Sequence, residues 1–320
     1  MPTITRDITV AAARLRAGGL VGLPTETVYG LAARADNPEA VASLFALKGR
    51  PASNPLIVHL SDVAQVEAWA VDPPPGARRL MDAFWPGPLT LVLDAQPSVS
   101  RQITAGQDTV ALRIPDHPLA RDIIRAAGGA LVAPSANRYT ALSPTLPAHV
   151  AAQFADSDLL IVDGGPCRVG IESTIVGLVQ GADAMLLRPG MLSAEVIAEI
   201  LGAPLAAPGA SAPRTPGQHR RHYAPRTPAH LFENMPPHDP NSARIGWIFC
   251  GEDHSTRGPA FDLGRDPAGY AARLYATLHA LDGAELDAIC IARPPASSAW
   301  RAVHDRLARA TVPAYPDARE

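Results

Sequence analysis

The 320-residue sequence contains one lysine, three cysteines and few aromatic side chains, 5% in all. Its formal net charge is only -3. Each scarcity excludes something. Cys167, Cys250 and Cys290 lie too far apart in sequence to form a metal clip, and an odd number builds no disulfide framework. Each reads as a small buried hydrophobe in a reduced cytosol. A near-neutral chain is a poor match for a protein that works mainly through phosphate-backbone contacts. RNA binding as the main task is therefore disfavoured, while a weak RNA contact through a local basic groove stays open. No uncharged apolar run reaches the roughly 18 residues of a spanning helix, so no membrane association is expected. The opening MPTITRDITVAAARLRAGG has no basic segment followed by an apolar one. No signal peptide is expected, and the cytoplasm is the expected compartment. The GxxxxGK(S/T), GxGxxG, HExxH and GxSxG patterns are missing, so a bound nucleotide must be held by another route. No metal-ligand set and no Ser-His or Cys-His nucleophile is read.

Hydrophobic residues make up 47% and charged residues 18%, which fits a globular protein. The length exceeds what one core usually holds, and 33 prolines predict many loops. Of the 28 basic residues, one is Lys48 and the remaining 28 − 1 = 27 are Arg. A chain that otherwise favours Arg keeps a compact ammonium at that position, which marks Lys48 for a specific task.

Apolar periodicity and capping residues predict an α/β fold. Helices are expected over residues 7–18, from Pro38 with Asn37 as cap, over 118–127, and from Ser193 through Leu201. Strands are expected at 20–24, 55–60, 89–95, 109–115, 130–137, 158–165, 173–179 and 184–190. The irregular mixture predicts a twisted mixed sheet rather than a repeating βαβ unit. Residues 203–228 are rich in Pro, Ala and Gly and read as a linker. Beyond them, strands at 244–250 and 287–293 flank a helix at 266–284, and a last helix includes residues 305–310. This predicts a small α/β, Rossmann-like C-terminal domain. The expected organisation is therefore 1–202, a linker over 203–228, and 229–320.

Four clusters carry chemistry. PTETVYGL (24–31) places the hydroxyls of Thr25 and Thr27 after a buried strand; a Thr-rich turn is the plainer alternative. KGRPASNPLIVHL (48–60) puts Lys48 and Arg50 two residues apart, with Asn54 and His59 following. On an extended stretch the two cations would point the same way, making a dication for phosphates; a helix C-terminus is the alternative. APSANRYTALSP (133–144) brings Ser135, Asn137 and Ser143 to a strand end, as ordinary turns also do. Arg113 and Arg188 sit inside apolar strands, where an unpaired Arg is costly. They point to a shared anionic partner or to structural ion pairs.

PTETVYGL, KGRPASNPLIVHL, FWPGPLTLVL, ALRIP, PSAN…SPT, ESTIV and LRPG occur in this order across residues 8–201. Together they resemble the YrdC-like threonylcarbamoyl-AMP synthase family. TPGQHRRHYAP and the closing PPASSAWRAVHDRLARA resemble the connector and C-terminal domain of its long, two-domain members. The resemblance implies that L-threonine, bicarbonate (or CO2) and ATP give threonylcarbamoyl-AMP and pyrophosphate. Mg2+ would come with ATP rather than occupy a dedicated protein site. A downstream transferase would pass the threonylcarbamoyl group to an adenosine in tRNA.

Carried over by position, Lys48, Arg50 and Arg188 are the implied catalytic cations. Thr27, His59, Arg113, Ala133 and Thr174 are the implied threonine contacts. Arg50, Asn54, Thr109, Ser135, Asn137, Ser143, Arg188 and Tyr223 are the implied ATP contacts, with Tyr223 closing over the nucleotide. The sequence departs from the family pattern at Thr140, where Gly is common, and at Gly177, where Asp is common. It departs again at Gln218 and His219, where Met and Lys are frequent. Two rival readings follow from the same residues: an RNA-binding or ribosome-maturation module, and a carbamoyl-transfer enzyme.

Overall fold

A computed structural model describes residues 1–209, 211–217, 223–234, 244–251 and 259–312. Gln218 and His219 of the connector lie outside the described residues.

In chain order the first unit contains β1 (Thr3–Thr5), α1 (Ile8–Arg16), β2 (Val21–Leu23), β3 (Gly30–Arg34) and α2 (Pro38–Lys48). There follow β4 (Ile57–His59), α3 (Pro75–Phe84), β5 (Leu89–Asp94), α4 (Arg101–Thr104), β6 (Thr109–Arg113), α5 (Pro118–Ala127) and β7 (Leu131–Val132). It ends with α6 (Pro147–Gln153), β8 (Leu160–Val162), β9 (Thr174–Gly177), β10 (Met185–Arg188) and α7 (Ala194–Leu201). The second unit holds β11 (Ala229–Phe232), β12 (Ile245–Phe249), β13 (Ala260–Asp262), α8 (Pro267–Asp282), β14 (Ala288–Ala292) and α9 (Arg301–Ala310).

The helices start and stop where their sequences dictate. Asn37 caps α2 by accepting from Ala40 N–H, Pro38 occupies its first turn, and Gly49 ends it in the left-handed conformation at φ 63°. Helix α5 buries Ala120, Ile123, Ile124 and Ala127, the one-face spacing of an amphipathic helix. Ser193 caps α7 and Asp266 caps α8.

The strands of the first unit form one sheet in the order β1-β8-β2-β3-β7-β4-β6-β5-β9-β10. Pairs β4/β6 and β5/β9 are parallel, while β3/β7, β4/β7, β5/β6 and β9/β10 are antiparallel. The expected mixed sheet is therefore present. Successive strand residues alternate between its faces. Leu31, Ala33, Val58, Leu91, Leu112 and Val132 join the largest core cluster. On the opposite face, at the β1 side, α1 and α5 cover Val21, Ala32, Leu131 and Val162.

Further along that opposite face the apolar cover thins. Among the described residues Ile57, Val92, Ala111, Ile175 and Leu187 cluster there, with Met185 and Ala212 packed against them. Strand parity puts His59 beside Ile57, and Thr109 and Arg113 beside Ala111, on this same side. The polar residues singled out on β4 and β6 thus occupy the same side of the sheet as this small cluster.

The second unit comprises Thr140–Ser143 and His219–Glu320, and the first comprises Met1–Tyr139 and Pro144–Gln218. The second sheet, β11-β14-β12-β13, is parallel throughout. Helix α8 buries Tyr270, Leu274, Tyr275, Leu278 and Leu281. This is the small α/β architecture expected of the C-terminal domain.

Candidate active site

Lys48 and Arg50 do not share an extended stretch; the alternative, a helix C-terminus, is what forms. Lys48 is the last residue of α2, and the chain reverses at Gly49 before Arg50. The left-handed glycine is what lets the chain turn there. Lys48 is 2% exposed. Its Nζ donates to the Ser135 carbonyl and, at 2.6 Å, to the Asn137 carbonyl. Burial, and then the neighbouring Arg50 charge, hold its ammonium well below the usual lysine range. Arg50 donates from Nη2 to the Pro55 carbonyl at 2.9 Å. Asn54 donates to the Tyr139 hydroxyl at 3.2 Å, and the Asn137 amide to the Arg138 carbonyl at 2.7 Å. The end of α2 and the loop after β7 are thereby one hydrogen-bonded body that holds Lys48, Ser135 and Asn137 together.

Arg113 and His59 are cross-strand partners on β6 and β4. Arg113 is 4% exposed, and each of its three nitrogens makes one of the bonds that fix its fork, with two of the five N–H donors left over. Nε donates to the Gly87 carbonyl at 3.2 Å, Nη1 to Thr27 Oγ1 at 2.9 Å, and Nη2 to Glu26 Oε1 at 2.5 Å. The buried arginine thus finds its first anion within the chain, in a residue of the PTETVYGL segment. The direction of the hydroxyl protons is fixed as well. Thr25 Oγ1 donates to the Val28 carbonyl at 2.6 Å, so Thr27, 2.9 Å away, must donate to Thr25. Thr27 therefore faces Arg113 as an acceptor.

His59 Nδ1 lies 3.2 Å from the Ile57 carbonyl, to which it can only donate. Burial, and then the Arg113 charge, push the imidazole down to about 3 against that hydrogen bond. It is a neutral ring whose Nε2 carries a lone pair. The same Ile57 carbonyl accepts from Ala133 N–H at 3.2 Å, which ties the Ala133 backbone to the His59 strand.

Arg188 ends β10 at the sheet edge. Its Nε donates to the Ser173 carbonyl and its Nη2 to Ser173 Oγ, both at 3.1 Å. Ser173 Oγ in turn lies 2.7 Å from Thr90 Oγ1. Arg188 Nη1 reaches the Pro216 carbonyl at 3.2 Å. Arg214 N–H donates to Gln107 Oε1 at 2.6 Å. The stretch around 212–216 is therefore strapped to the thinly covered face. Thr109 pairs with Asp94 across β6 and β5.

Thr174 spends its hydroxyl elsewhere, donating to the Leu192 carbonyl at 2.9 Å and accepting from Leu192 N–H at 3.2 Å. Gly190 packs on it so closely that an added Cβ would meet Thr174 N at 2.4 Å. Ser143 and Tyr223 belong to the second unit. The Ser143 carbonyl lies 3.1 Å from His279 Nε2. Tyr223 is 1% exposed, with its ring 5.9 Å from Tyr275 and the Arg306 guanidinium 5.2 Å from its centroid.

Glu26, Thr90 and Ser173 escaped the sequence reading. A buried arginine demands a partner, and Glu26 and Ser173 both stand inside segments already singled out. Among the described residues no group of three or more His, Cys, Asp or Glu side chains gathers as a metal-binding set. No helix among them is long and apolar enough to cross a membrane.

This arrangement lies on a chain with recognisable relatives. Residues 13–190 match the Sua5/YciO/YrdC family, described as telomere recombination. Residues 192–312 match a second family, described as the threonylcarbamoyl-AMP synthase C-terminal domain. The chain is 38% identical to the threonylcarbamoyl-AMP synthase of Bacillus subtilis, over 95% of this chain and 92% of the relative. It is 37% identical to that of Pyrococcus abyssi, over 95% and 94%. The fold superposes on the crystal structure of P. abyssi Sua5 complexed with L-threonine with a TM-score of 0.87 at 34% identity, covering 98% of this chain and all of the other. The chain belongs to the Sua5/YciO/YrdC family and carries, after that domain, the C-terminal domain of the Sua5 proteins.

Proposed function

We propose that this protein is a threonylcarbamoyl-AMP synthase, forming threonylcarbamoyl-AMP and pyrophosphate from L-threonine, bicarbonate or CO2, and ATP. The carrying observation is the Arg113 group. A buried guanidinium flanked by Thr27 Oγ1, Glu26 and neutral His59 suits an amino acid carboxylate and its polar substituents. Relatives of nearly full coverage bear this enzyme's name, and one was crystallised with L-threonine.

In this reading the threonine amine combines with CO2, and the resulting carbamate oxygen attacks the α-phosphorus of ATP as pyrophosphate leaves. Charge gathers on phosphoryl oxygens, so fixed cations and donors supply the stabilisation. Lys48, Arg50 and Arg188 are the cations, with Asn54, Thr109, Ser135 and Asn137 as further ATP contacts. Each cation is already braced by backbone carbonyls, so little side-chain entropy remains to be lost when phosphate binds. Thr27, His59 and Arg113 hold threonine, with Ala133 and Thr174 closing that pocket. ATP enters as its magnesium complex, the ion being held by the phosphates whose charge it offsets.

Residues 1–202 are the catalytic domain in this scheme, 203–228 the connector and 229–320 the accessory domain. The product would pass to a transferase that modifies adenosine in tRNA. Three buried thiols outside any disulfide suit the cytoplasm. Neither rival reading has a specific observation in its favour. The test is direct identification of the product: mass spectrometry should find threonylcarbamoyl-AMP when all three substrates are present. AMP alone, or carbamoyl-AMP, would overturn the assignment.

A further inference from the structure

Glu26 has no role in the chemistry above, yet it sits at the centre of the Arg113 group. Its side chain is 2% exposed. Oε1 takes the hydrogen bond from Arg113 Nη2 at 2.5 Å. Oε2 is buried and has no hydrogen-bond partner among the described residues. A buried carboxylate oxygen left unmet is costly, and native proteins seldom carry one without a purpose.

Neither Thr27 nor His59, the polar side chains beside Arg113, has a proton to spare for it. Thr27 sends its proton to Thr25, and His59 sends its Nδ1 proton to the Ile57 carbonyl. The groups beside Arg113 are acceptors: the Glu26 carboxylate and Thr27 Oγ1 in direct contact, and on the paired strand the neutral ring of His59, whose Nε2 carries a lone pair. One fixed cation surrounded by acceptors is the complement of a zwitterion. The carboxylate belongs on Arg113, and the ammonium, which has three donors and no acceptor, belongs among the oxygens. The plainer reading makes Glu26 only an anchor for Arg113. That accounts for Oε1 and leaves Oε2 without a function.

We propose that Glu26 Oε2 receives the α-ammonium of the bound amino acid, so that Glu26 both fixes Arg113 and selects substrates that carry an amine. The inference rests on the threonine reading given above. It assigns to this chain a specificity-determining residue outside the threonine contacts inferred from sequence.

The test is isothermal titration of the full chain with two ligands, L-threonine and 2,3-dihydroxybutanoate. The second keeps the carboxylate and the β-hydroxyl but replaces the amine by a hydroxyl. Glu26→Gln keeps the shape of the side chain and removes its charge. The inference predicts that the wild-type preference for threonine shrinks by about tenfold or more in Glu26→Gln, because a charge-assisted hydrogen bond is lost only with the amine. Equal weakening of both ligands would reduce Glu26 to an anchor of Arg113 and overturn the inference. Unchanged affinities would overturn it as well. If Glu26→Gln does not fold, Glu26→Asp, which keeps the charge but shortens the reach, carries the same comparison. A folded wild-type protein that binds neither ligand would contradict the threonine reading itself, a result distinct from loss of discrimination in the variant alone.

Discussion

Lys48 Nζ lies 2.6 Å from the Asn137 carbonyl oxygen, so the chain's one lysine ties the end of α2 to the loop that follows β7. A planar guanidinium cannot fill that place. It is larger, and it spreads its donors over a fork rather than aiming them from one atom. Lys48→Arg should therefore lower turnover by about 100-fold or more despite unchanged charge. Lys48→Met should do the same and also cost about 1–3 kcal/mol of stability, because two buried carbonyls lose their donor. Steady-state kinetics and urea unfolding read the two effects separately. Normal turnover in Lys48→Arg would make the lone lysine accidental.

The Arg188 side chain donates twice to Ser173 and also reaches the Pro216 carbonyl. Lysine keeps the charge but cannot reproduce that geometry. Arg188→Lys should raise the KM for ATP by about tenfold to 100-fold, the weight of one or two charge-assisted hydrogen bonds. The affinity for L-threonine should stay within about threefold. A variant that loses threonine affinity and keeps its KM for ATP would contradict the assignment of Arg188 to the phosphates.

His59 gives the molecule a pH signature. Its folded value lies near 3, while an unfolded histidine takes up a proton near 6.5. Between these values the unfolded chain holds more protons than the folded one, so stability is full above about pH 6.5 and falls as pH drops toward 3. From pH 7 to pH 5 the loss attributable to His59 is about 2 kcal/mol. Lys48, also depressed, acts in the same direction at higher pH. Denaturant unfolding of the wild type and of His59→Gln at both pH values isolates the histidine share. The variant should show the shallower fall, and parallel falls would contradict a neutral buried ring.

How far the sequence could be read depended on where its signals were local. Helices α2, α7 and α8 carry their caps Asn37, Ser193 and Asp266 in the chain itself, and the structure uses all three. Strand β3 was missed because GLAAR is made of small residues and a terminal Arg; its strand character comes from pairing with β2 and β7. Helix α3 was missed because PPPGARR reads as loop, although Pro75 stands in its first turn. The extended reading of Lys48 and Arg50 failed because Gly49 is a helix terminator rather than part of a strand. Arg113 was found by the cost of burying it, but its partner Glu26 was not. The structural ion pair that the sequence left open as an alternative for Arg113 is present, with Glu26 as its anion.

Thr140 links the two levels. The family pattern favours glycine there, and Thr140 has φ 68°, a left-handed conformation that burdens a β-branched residue. Thr140→Gly should therefore stabilise the protein by up to about 1 kcal/mol in thermal or urea unfolding. A destabilised variant would mean that the threonine side chain contributes more than its backbone strain costs.

The central claim meets its most direct test in pyrophosphate release from ATP with Mg2+ and bicarbonate, measured with and without L-threonine and with L-serine as the control. The account predicts release that depends on L-threonine and falls by about 100-fold or more in Lys48→Arg. A well-folded protein that releases no pyrophosphate with L-threonine, or releases it equally without any amino acid, would contradict it.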